Sequence, residues 1–163
     1  MAKHSFVGGI HPYDGKDISK NRPIADIIPE GDMVYPLVQH IGAPAVALVK
    51  KGDYVRRGQM IAQAGGFVSA NIFSTVSGTV KNIEPRRIVT GDSVMSIIVT
   101  GDGKFDEVEY QPVDNVDELS KEEILERIKY AGVVGMGGAG FPTHVKLAPK
   151  EPDKIDYCIA NCA

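Results

Sequence analysis

The residues that could do chemistry lie in one short stretch, VVGMGGAGFPTHVKL, at positions 133–147. Glycine or alanine occupies five of the six positions 135–140. Small residues let backbone N–H groups approach an anion closely and adopt positive φ where a turn requires it. A helix beginning near Thr143 would direct its N–H groups to the same place, and Lys146 would add a positive charge one turn later. The stretch therefore predicts a phosphate-binding loop for a flat nucleotide cofactor.

The common nucleotide-binding motifs do not account for this loop. Gly135, Gly137 and Gly140 satisfy G-x-G-x-x-G, but that fingerprint needs a strand before it, and the preceding residues predict a helix. A Walker A loop needs Lys-Ser/Thr after its last glycine, and Phe141 follows here. A glycine-rich connection that only packs closely against a neighbouring strand remains the alternative to a phosphate site.

A predicted helix leads into the loop. Ser120 and Glu123 have the spacing of a capping box, and Gly132 is placed to end the helix. Apolar residues recur between them at helical spacing, at Ile124, Leu125, Ile128 and Ala131. After the loop, Thr143 is expected to cap a second helix over THVKLA.

The end of the chain predicts a strand that is cut short. IDYCIAN, residues 155–161, alternates like a buried strand, and the sequence stops at Ala163 without a polar tail. We therefore expect a longer polypeptide, divided inside its second domain. Cys158 and Cys162 supply at most two thiolates where an iron–sulfur cluster needs four, so they are expected to be strand cysteines without metal. No other metal site is predicted, because no histidine has a second ligand at a recognisable spacing: His4, His11, His40.

The residues before the helix predict a small all-β domain at 31–103. Five short apolar runs are separated by turn signals. They are MVYPLVQ (33–39), AVALVK (45–50), MIAQAG (60–65), GTVKNIE (78–84) and SVMSIIVT (93–100). Residues 1–30 are rich in turn residues and predict an extended arm. Residues 104–119 predict an acidic linker to the part of the chain that carries the loop, residues 120–163.

The overall composition excludes several classes of function. The chain has 163 residues, a formal net charge of −3 at pH 7 and no tryptophan, which does not fit nucleic-acid binding. No apolar run approaches the roughly 20 residues of a membrane-spanning helix, and the N-terminus lacks the apolar segment of a signal peptide. The chain is therefore expected to be soluble by itself, and its two cysteines fit a reducing cytoplasm.

The β region resembles the barrel-sandwich hybrid of biotinyl and lipoyl domains. The likeness is carried by Gly52-Asp53, Val55, Gly58-Gln59, and Ser77-Gly78 before Val80. A carrier domain of that family needs a lysine at its hairpin tip, which would fall near Gly66-Phe67. No lysine occurs between Lys51 and Lys81, so a structural or docking role is expected and a swinging-arm carrier is excluded.

The glycine-rich stretch is similar to the flavin and NADH loop of the complex I 51-kDa family, G-R-G-G-A-G-F-P-T-G-x-K. Met136 stands where that family usually has arginine, and His144 where it usually has glycine. CIANCA resembles the start of the same family's next flavin strand. The resemblance implies that nine residues bind the cofactor: Gly135, Gly137, Gly138, Ala139, Gly140, Phe141, Thr143, Lys146 and Asn161. It implies no catalytic side chain, because hydride transfer needs positioning and not a protein acid or base.

The order of the two regions, with GGIHP, QHIGAPA and GFVSANIFSTVSGTV, resembles the RnfC family, whose members belong to membrane-bound ion-translocating ferredoxin:NAD oxidoreductases (Rnf complexes). The implied fold is mixed α+β: a barrel-sandwich hybrid, then the start of an α/β FMN/NADH-binding domain.

The resemblance also implies a peripheral subunit on the cytoplasmic face of the membrane, which works with other subunits, FMN and NAD(H), and indirectly with ferredoxin. Its [4Fe–4S] clusters would lie beyond residue 163, and residues 1–163 alone are expected to be inactive. A cobalamin-reductase-like flavoprotein of a diol-utilisation microcompartment and a non-catalytic β docking module are the alternatives.

Overall fold

The computed structural model describes residues 13–157 and residue 159, and within them seven strands form two antiparallel sheets. One sheet has the order β1-β7-β6-β3 and the other the order β2-β4-β5. The strands are β1 (Asp32–Pro36), β2 (Val46–Ala47), β3 (Tyr54–Val55), β4 (Met60–Gln63), β5 (Ile72–Phe73), β6 (Gly78–Arg87) and β7 (Ser93–Gly101). The predicted all-β domain is confirmed. We call residues 32–101 the β domain.

Both sheets contribute side chains to one apolar core. The register of β7 places Ile97 and Val99 in this core at alternate positions, as expected for a strand with one face on the interior. Burying each aliphatic side chain contributes about 1.5–3 kcal/mol, so this cluster dominates the stability of the β domain. Its members are Tyr35, Ala45, Val55, Ile61, Ala62, Ile72, Val76, Val80, Ile97 and Val99.

Each of the five predicted apolar runs contains a strand, but two strands were missed. β3 and β5 have only two residues each, which is too short for any periodicity to show in the sequence. β6 also continues through Pro85 to Arg87, where a turn was predicted. Pro85 is tolerated because β3 pairs only with residues 78 and 79, so this end of β6 has a partner on one side alone.

The described part of the arm and three short 3-10 helices complete the irregular regions. Residues 13–31 precede β1 and contain the first of these helices. The first twelve residues of the predicted arm lie outside the described residues. The 3-10 helices are Lys16–Ile18, Val116–Glu118 and Pro152–Lys154.

The first half of the predicted linker is bound to the β domain. The N–H of Arg57 donates to the carbonyl of Asp106 at 2.8 Å, and the N–H of Val108 donates to the carbonyl of Arg57 at 3.0 Å. Phe105 packs against the core cluster, and Tyr110 lies directly over Gly58, where a Cβ would collide with its hydroxyl. Residues 105–110 therefore follow the surface of the β domain.

Tyr54 makes a further contact with this segment, and it predicts a measurable titration. Its hydroxyl donates to Asp106 at 2.8 Å and to Asp102 at 3.0 Å. The bond to Asp106, with some desolvation and the bond to Asp102, raises the pKa of Tyr54 from 10.0 to about 12. Asp106→Asn is expected to lower that pKa, which ultraviolet difference titration of the tyrosines would measure.

The sign of the linked stability follows from the direction of this shift. Because the pKa of Tyr54 is higher in the folded state, its contribution is fully present below pH 10 and is lost as the pH rises through about 12. Tyr54→Phe should remove the late-titrating tyrosine and is the matched control. A titration in which every tyrosine of the native protein ionises near its ordinary pKa would contradict the assignment.

The helix before the glycine-rich stretch is α1 (Lys121–Tyr130), and its predicted capping box is confirmed. The N–H of Ser120 donates to the Glu123 carboxylate at 2.8 Å, and the N–H of Glu123 donates to the Ser120 hydroxyl at 3.3 Å. Gly132 ends the helix with φ +65°. The apolar positions 124, 125 and 128 are half-buried, whereas Ala131 is exposed.

Between residues 13 and 159, the structure contains no helix with the length and apolar character needed to cross a bilayer.

Candidate functional site

The glycine loop, residues 135–140, is closed at its base by a short antiparallel bridge. Val134 pairs with Pro142, and the N–H of Gly135 donates to the carbonyl of Phe141 at 2.9 Å. The N–H of Thr143 donates to the carbonyl of Val133, also at 2.9 Å. The bridge fixes both ends of the loop, so its conformation depends little on the exposed residues between them.

The second helix starts one residue earlier than predicted. α2 (Thr143–Lys146) has Pro142 at its N-cap position, and no side chain caps it. Thr143 is therefore the first helical residue and not the cap, which corrects the prediction. The reason is the bridge: the fully buried Pro142 and the bonded N–H of Thr143 set the point at which the helix begins. The first N–H of α2 is thus already used.

One side of the glycine loop is seated on the β domain. The N–H of Ile41 donates to the carbonyl of Ala139 at 3.2 Å. Gly140 is buried with φ +64°, and a Cβ there would lie 2.7 Å from the Gln39 carbonyl oxygen and 3.0 Å from the His40 Cα. Gly140 is therefore a glycine for reasons of packing and backbone conformation.

The end of α1 rests on the same domain. The side-chain amide of Asn71 donates to the carbonyl of Tyr130 at 2.9 Å, and the ring of Tyr130 meets Phe73 edge to face with centroids 6.2 Å apart. Gly132 lies against the Asn71 carbonyl, where a Cβ would collide. The glycine loop is thus held between two points of contact with the β domain, one on each side.

The middle of the glycine loop has no such reason to lack side chains. Among the described residues, no atom lies within 4 Å of a Cβ built on Gly137 or Gly138, and neither residue adopts a positive φ. Both are exposed, and the N–H groups of Met136 and Gly137 donate no hydrogen bond to any described residue. Close packing explains Gly140 but not Gly137 and Gly138, so the packing alternative accounts for only part of the loop.

The structure brings eight of the nine predicted cofactor residues into one segment. Phe141 and Thr143 are half-buried beside the bridge, and Lys146 is exposed at the end of α2. Met136, which replaces the arginine usual in the resembling family, is 95% exposed and brings no charge. Asn161 lies outside the described residues, as do Cys158 and Cys162.

The predicted strand over residues 155–161 is wrong where the structure describes it. Residues 155–157 and 159 belong to no strand and are exposed, with Ile155 at 55%, Tyr157 at 85% and Ile159 at 89%. Alternation alone cannot make a strand, because its backbone groups need a partner, and both described sheets are built from β1 to β7.

One residue important to the site was missed as such in the sequence. His40 was considered only as a metal ligand, yet it is buried under the seat of the glycine loop and bonds to backbone groups. Within the described residues, no group of three or more metal-ligating side chains occurs. No sequence signal could have found its role, because its partner Ala70 lies 30 positions away.

A groove of about 710 Å³ lies away from the glycine loop, between the arm and the linker segment. Arg57 on its wall is already paired with Glu107, at 3.4 Å. This groove therefore offers no free charge for an anionic cofactor through Arg57. Its other lining residues include Asp26, Ile27, Ile28, Thr75, Phe105 and Tyr110.

Two family models match the chain in the order that the resemblance implied. Residues 4–104 match the RnfC barrel sandwich hybrid domain, and residues 128–163 match the Nuo51 FMN-binding domain. The predicted fold class, a barrel-sandwich hybrid followed by the start of an FMN-binding domain, is confirmed.

Similar proteins are C-type subunits of ion-translocating complexes. The one from the proton-translocating ferredoxin:NAD(+) oxidoreductase complex of Clostridium ljungdahlii is 47% identical over 161 residues, which cover 98% of this chain and 35% of that protein. Its counterpart from the Na(+)-translocating complex of Acetobacterium woodii is 38% identical over 164 residues, 99% of this chain and 37% of that protein.

The corresponding protein of the ion-translocating oxidoreductase complex of Vibrio cholerae is 41% identical over 144 residues, covering 87% of this chain and 19% of that protein. The chain thus spans between 19% and 37% of the length of these relatives. Both the domain matches and the identities agree with the family that the sequence motifs indicated. The chain belongs to the RnfC family of ion-translocating oxidoreductase complexes.

Proposed function

We propose that this chain serves in a membrane-associated ion-translocating ferredoxin:NAD oxidoreductase, and that its glycine loop binds the phosphate of FMN. The observation that carries the proposal is the open space at Gly137 and Gly138, which packing within the described chain does not explain. A ligand that approaches the backbone there would explain it, because any side chain at these positions would occupy the space.

The groups that would hold the phosphate are backbone amides and one lysine. The N–H groups of Met136 and Gly137 have no acceptor among the described residues and are placed in the exposed part of the loop. Consecutive amides of a glycine-rich loop form the kind of concave surface that binds anions. The first amide of α2 is bonded to Val133, so the helix start contributes less than the sequence predicted. Lys146, exposed on α2, would supply the full positive charge.

The remaining predicted residues would shape and support the site. Ala139 and Gly140 tie the loop to the β domain, and Gly135 and Thr143 close its base. Bound FMN would supply the two-electron chemistry with NAD(H). The part of the chain at 133–142 carries no titratable side chain, which fits a role of binding and orientation.

The wider setting is also a proposal. The subunit would lie on the cytoplasmic face of the membrane, contact other subunits of the complex, and pass electrons between NAD(H) and ferredoxin through iron–sulfur clusters outside residues 1–163. The names of the relatives from Clostridium ljungdahlii and Acetobacterium woodii support the ferredoxin and NAD(+) chemistry.

The direct test is flavin binding by the full-length polypeptide that carries these residues. After reconstitution with FMN and removal of the excess, we expect a stoichiometric amount of flavin to remain and its absorbance to bleach anaerobically when NADH is added. Residues 1–163 alone are the comparison and are expected to bind flavin poorly. A full-length polypeptide that retains no FMN would contradict the proposal.

A further inference from the structure

The β domain forms the seat on which the glycine loop rests, and one buried side chain organises that seat. The loop touches residues 39–41 through the bond from Ile41 to Ala139 and through the packing of Gly140 against Gln39 and His40. Any shift of this backbone would move the glycine loop. We call residues 39–43 the seat loop.

The ring of His40 is bonded at both nitrogens. The N–H of Ala70 lies 3.1 Å from Nε2, and the carbonyl oxygen of Ile41 lies 3.0 Å from Nδ1. A backbone amide only donates, so Nε2 must accept and carry no proton. Nδ1 therefore carries the proton and donates to Ile41. The neutral ring, in this one tautomer, is the form that satisfies both partners.

The ring thereby joins the seat loop to the connection between β4 and β5, residues 64–71. His40 is only 6% exposed, so the Ala70 amide has no water to replace the ring as its acceptor. The same connection holds the other end of the seat loop. The N–H of Ala43 donates to the Val68 carbonyl at 2.9 Å, and the Ser69 hydroxyl donates to the Ala43 carbonyl at 2.8 Å.

We propose that His40 is a positioning residue for the flavin site: it sets the backbone of residues 39–41 and, through it, the conformation of the glycine loop. The inference rests on the proposed binding of FMN at this loop. His40 itself touches no cofactor in this account. The β domain would then be part of the flavin site and not only a docking module.

Two substitutions separate the hydrogen bonds of His40 from its volume. His40→Phe keeps a ring of similar size but leaves the buried Ala70 amide without an acceptor. His40→Gln places an amide oxygen near the position of Nε2, so it can still accept from Ala70. In the full-length polypeptide we expect His40→Phe to weaken FMN binding about tenfold, equal to about 1.4 kcal/mol, and His40→Gln to restore most of the loss.

A control must distinguish positioning from general loss of stability. Val55→Ala removes a buried core side chain outside the seat loop and should lower the unfolding temperature without changing FMN affinity. Hydrogen exchange at the Ile41 amide gives a second readout, and it should accelerate in His40→Phe but not in Val55→Ala. Because this amide bonds to Ala139, its exchange reports the contact directly.

The outcomes separate this inference from the proposed function. Unchanged FMN affinity and unchanged Ile41 exchange in His40→Phe would overturn the role of His40 and leave the flavin site intact. An equal loss of affinity in Val55→Ala would overturn it as well, because general instability would then explain the effect. If the native polypeptide binds no FMN, the proposed function fails, and Ile41 exchange in the His40 variants still tests the coupling.

Discussion

Replacing Gly138 with valine is expected to lower the affinity for FMN on the order of 100-fold, which corresponds to about 2.8 kcal/mol. The new side chain would enter the open space where we place the phosphate, and it would hold the anion away from the amides of Met136 and Gly137. The same change should leave the folded chain unaffected. No described atom lies within 4 Å of the added Cβ, and the backbone does not require a positive φ.

Equilibrium dialysis with FMN and thermal unfolding of the same samples would measure both halves of this result. Gly138→Ala should give a smaller loss of affinity than Gly138→Val, because it fills less of the space. A valine variant that binds FMN as tightly as the native polypeptide would show that the phosphate lies elsewhere. A variant that unfolds at a much lower temperature would show that Gly138 serves packing.

Gly140→Ala is expected to have the opposite profile and to loosen the glycine loop from the β domain by at least about 2 kcal/mol. A non-glycine residue held near φ +64° costs about 1–3 kcal/mol by itself. The added Cβ would also stand 2.7 Å from the Gln39 carbonyl oxygen, and because that atom belongs to backbone, it cannot move aside at little cost. FMN binding should weaken as a consequence of the displaced loop.

Hydrogen exchange at the Ile41 amide would measure the loosening, since that amide bonds to Ala139 beside the substituted residue. Gly103→Ala is the matched control. Gly103 has φ +71° with nothing within 4 Å of a Cβ, so its substitution carries the backbone strain without the collision. Equal Ile41 exchange in the two variants would contradict the contact between Gly140 and residues 39–40.

Together the two glycines show how one run of small residues serves two purposes. Gly138 lies in the open part of the loop, and Gly140 lies at its seat. Both look the same in the sequence, since each could bind an anion or fit a close contact. Only the positions of Gln39 and His40, far earlier in the chain, separate them.

Some of the architecture could be predicted because the information is local. The capping box of Ser120 and Glu123 needs only a spacing of three residues, and it forms as expected. The five apolar runs of the β domain are long enough to show turn-bounded strands, and each contains one. The two-residue strands β3 and β5 carry no such pattern, because their pairing is decided by the neighbours across the sheet.

By itself, the sequence determined the order of the domains, the family resemblance and the existence of a backbone loop suited to an anion. These depend on residue types at short spacing. The tertiary structure decided which glycines serve packing, that Thr143 begins α2, that residues 105–110 lie on the β domain and that His40 supports the seat loop. The physical reason is that each of these depends on contacts between residues far apart in the chain, and such contacts leave no local pattern.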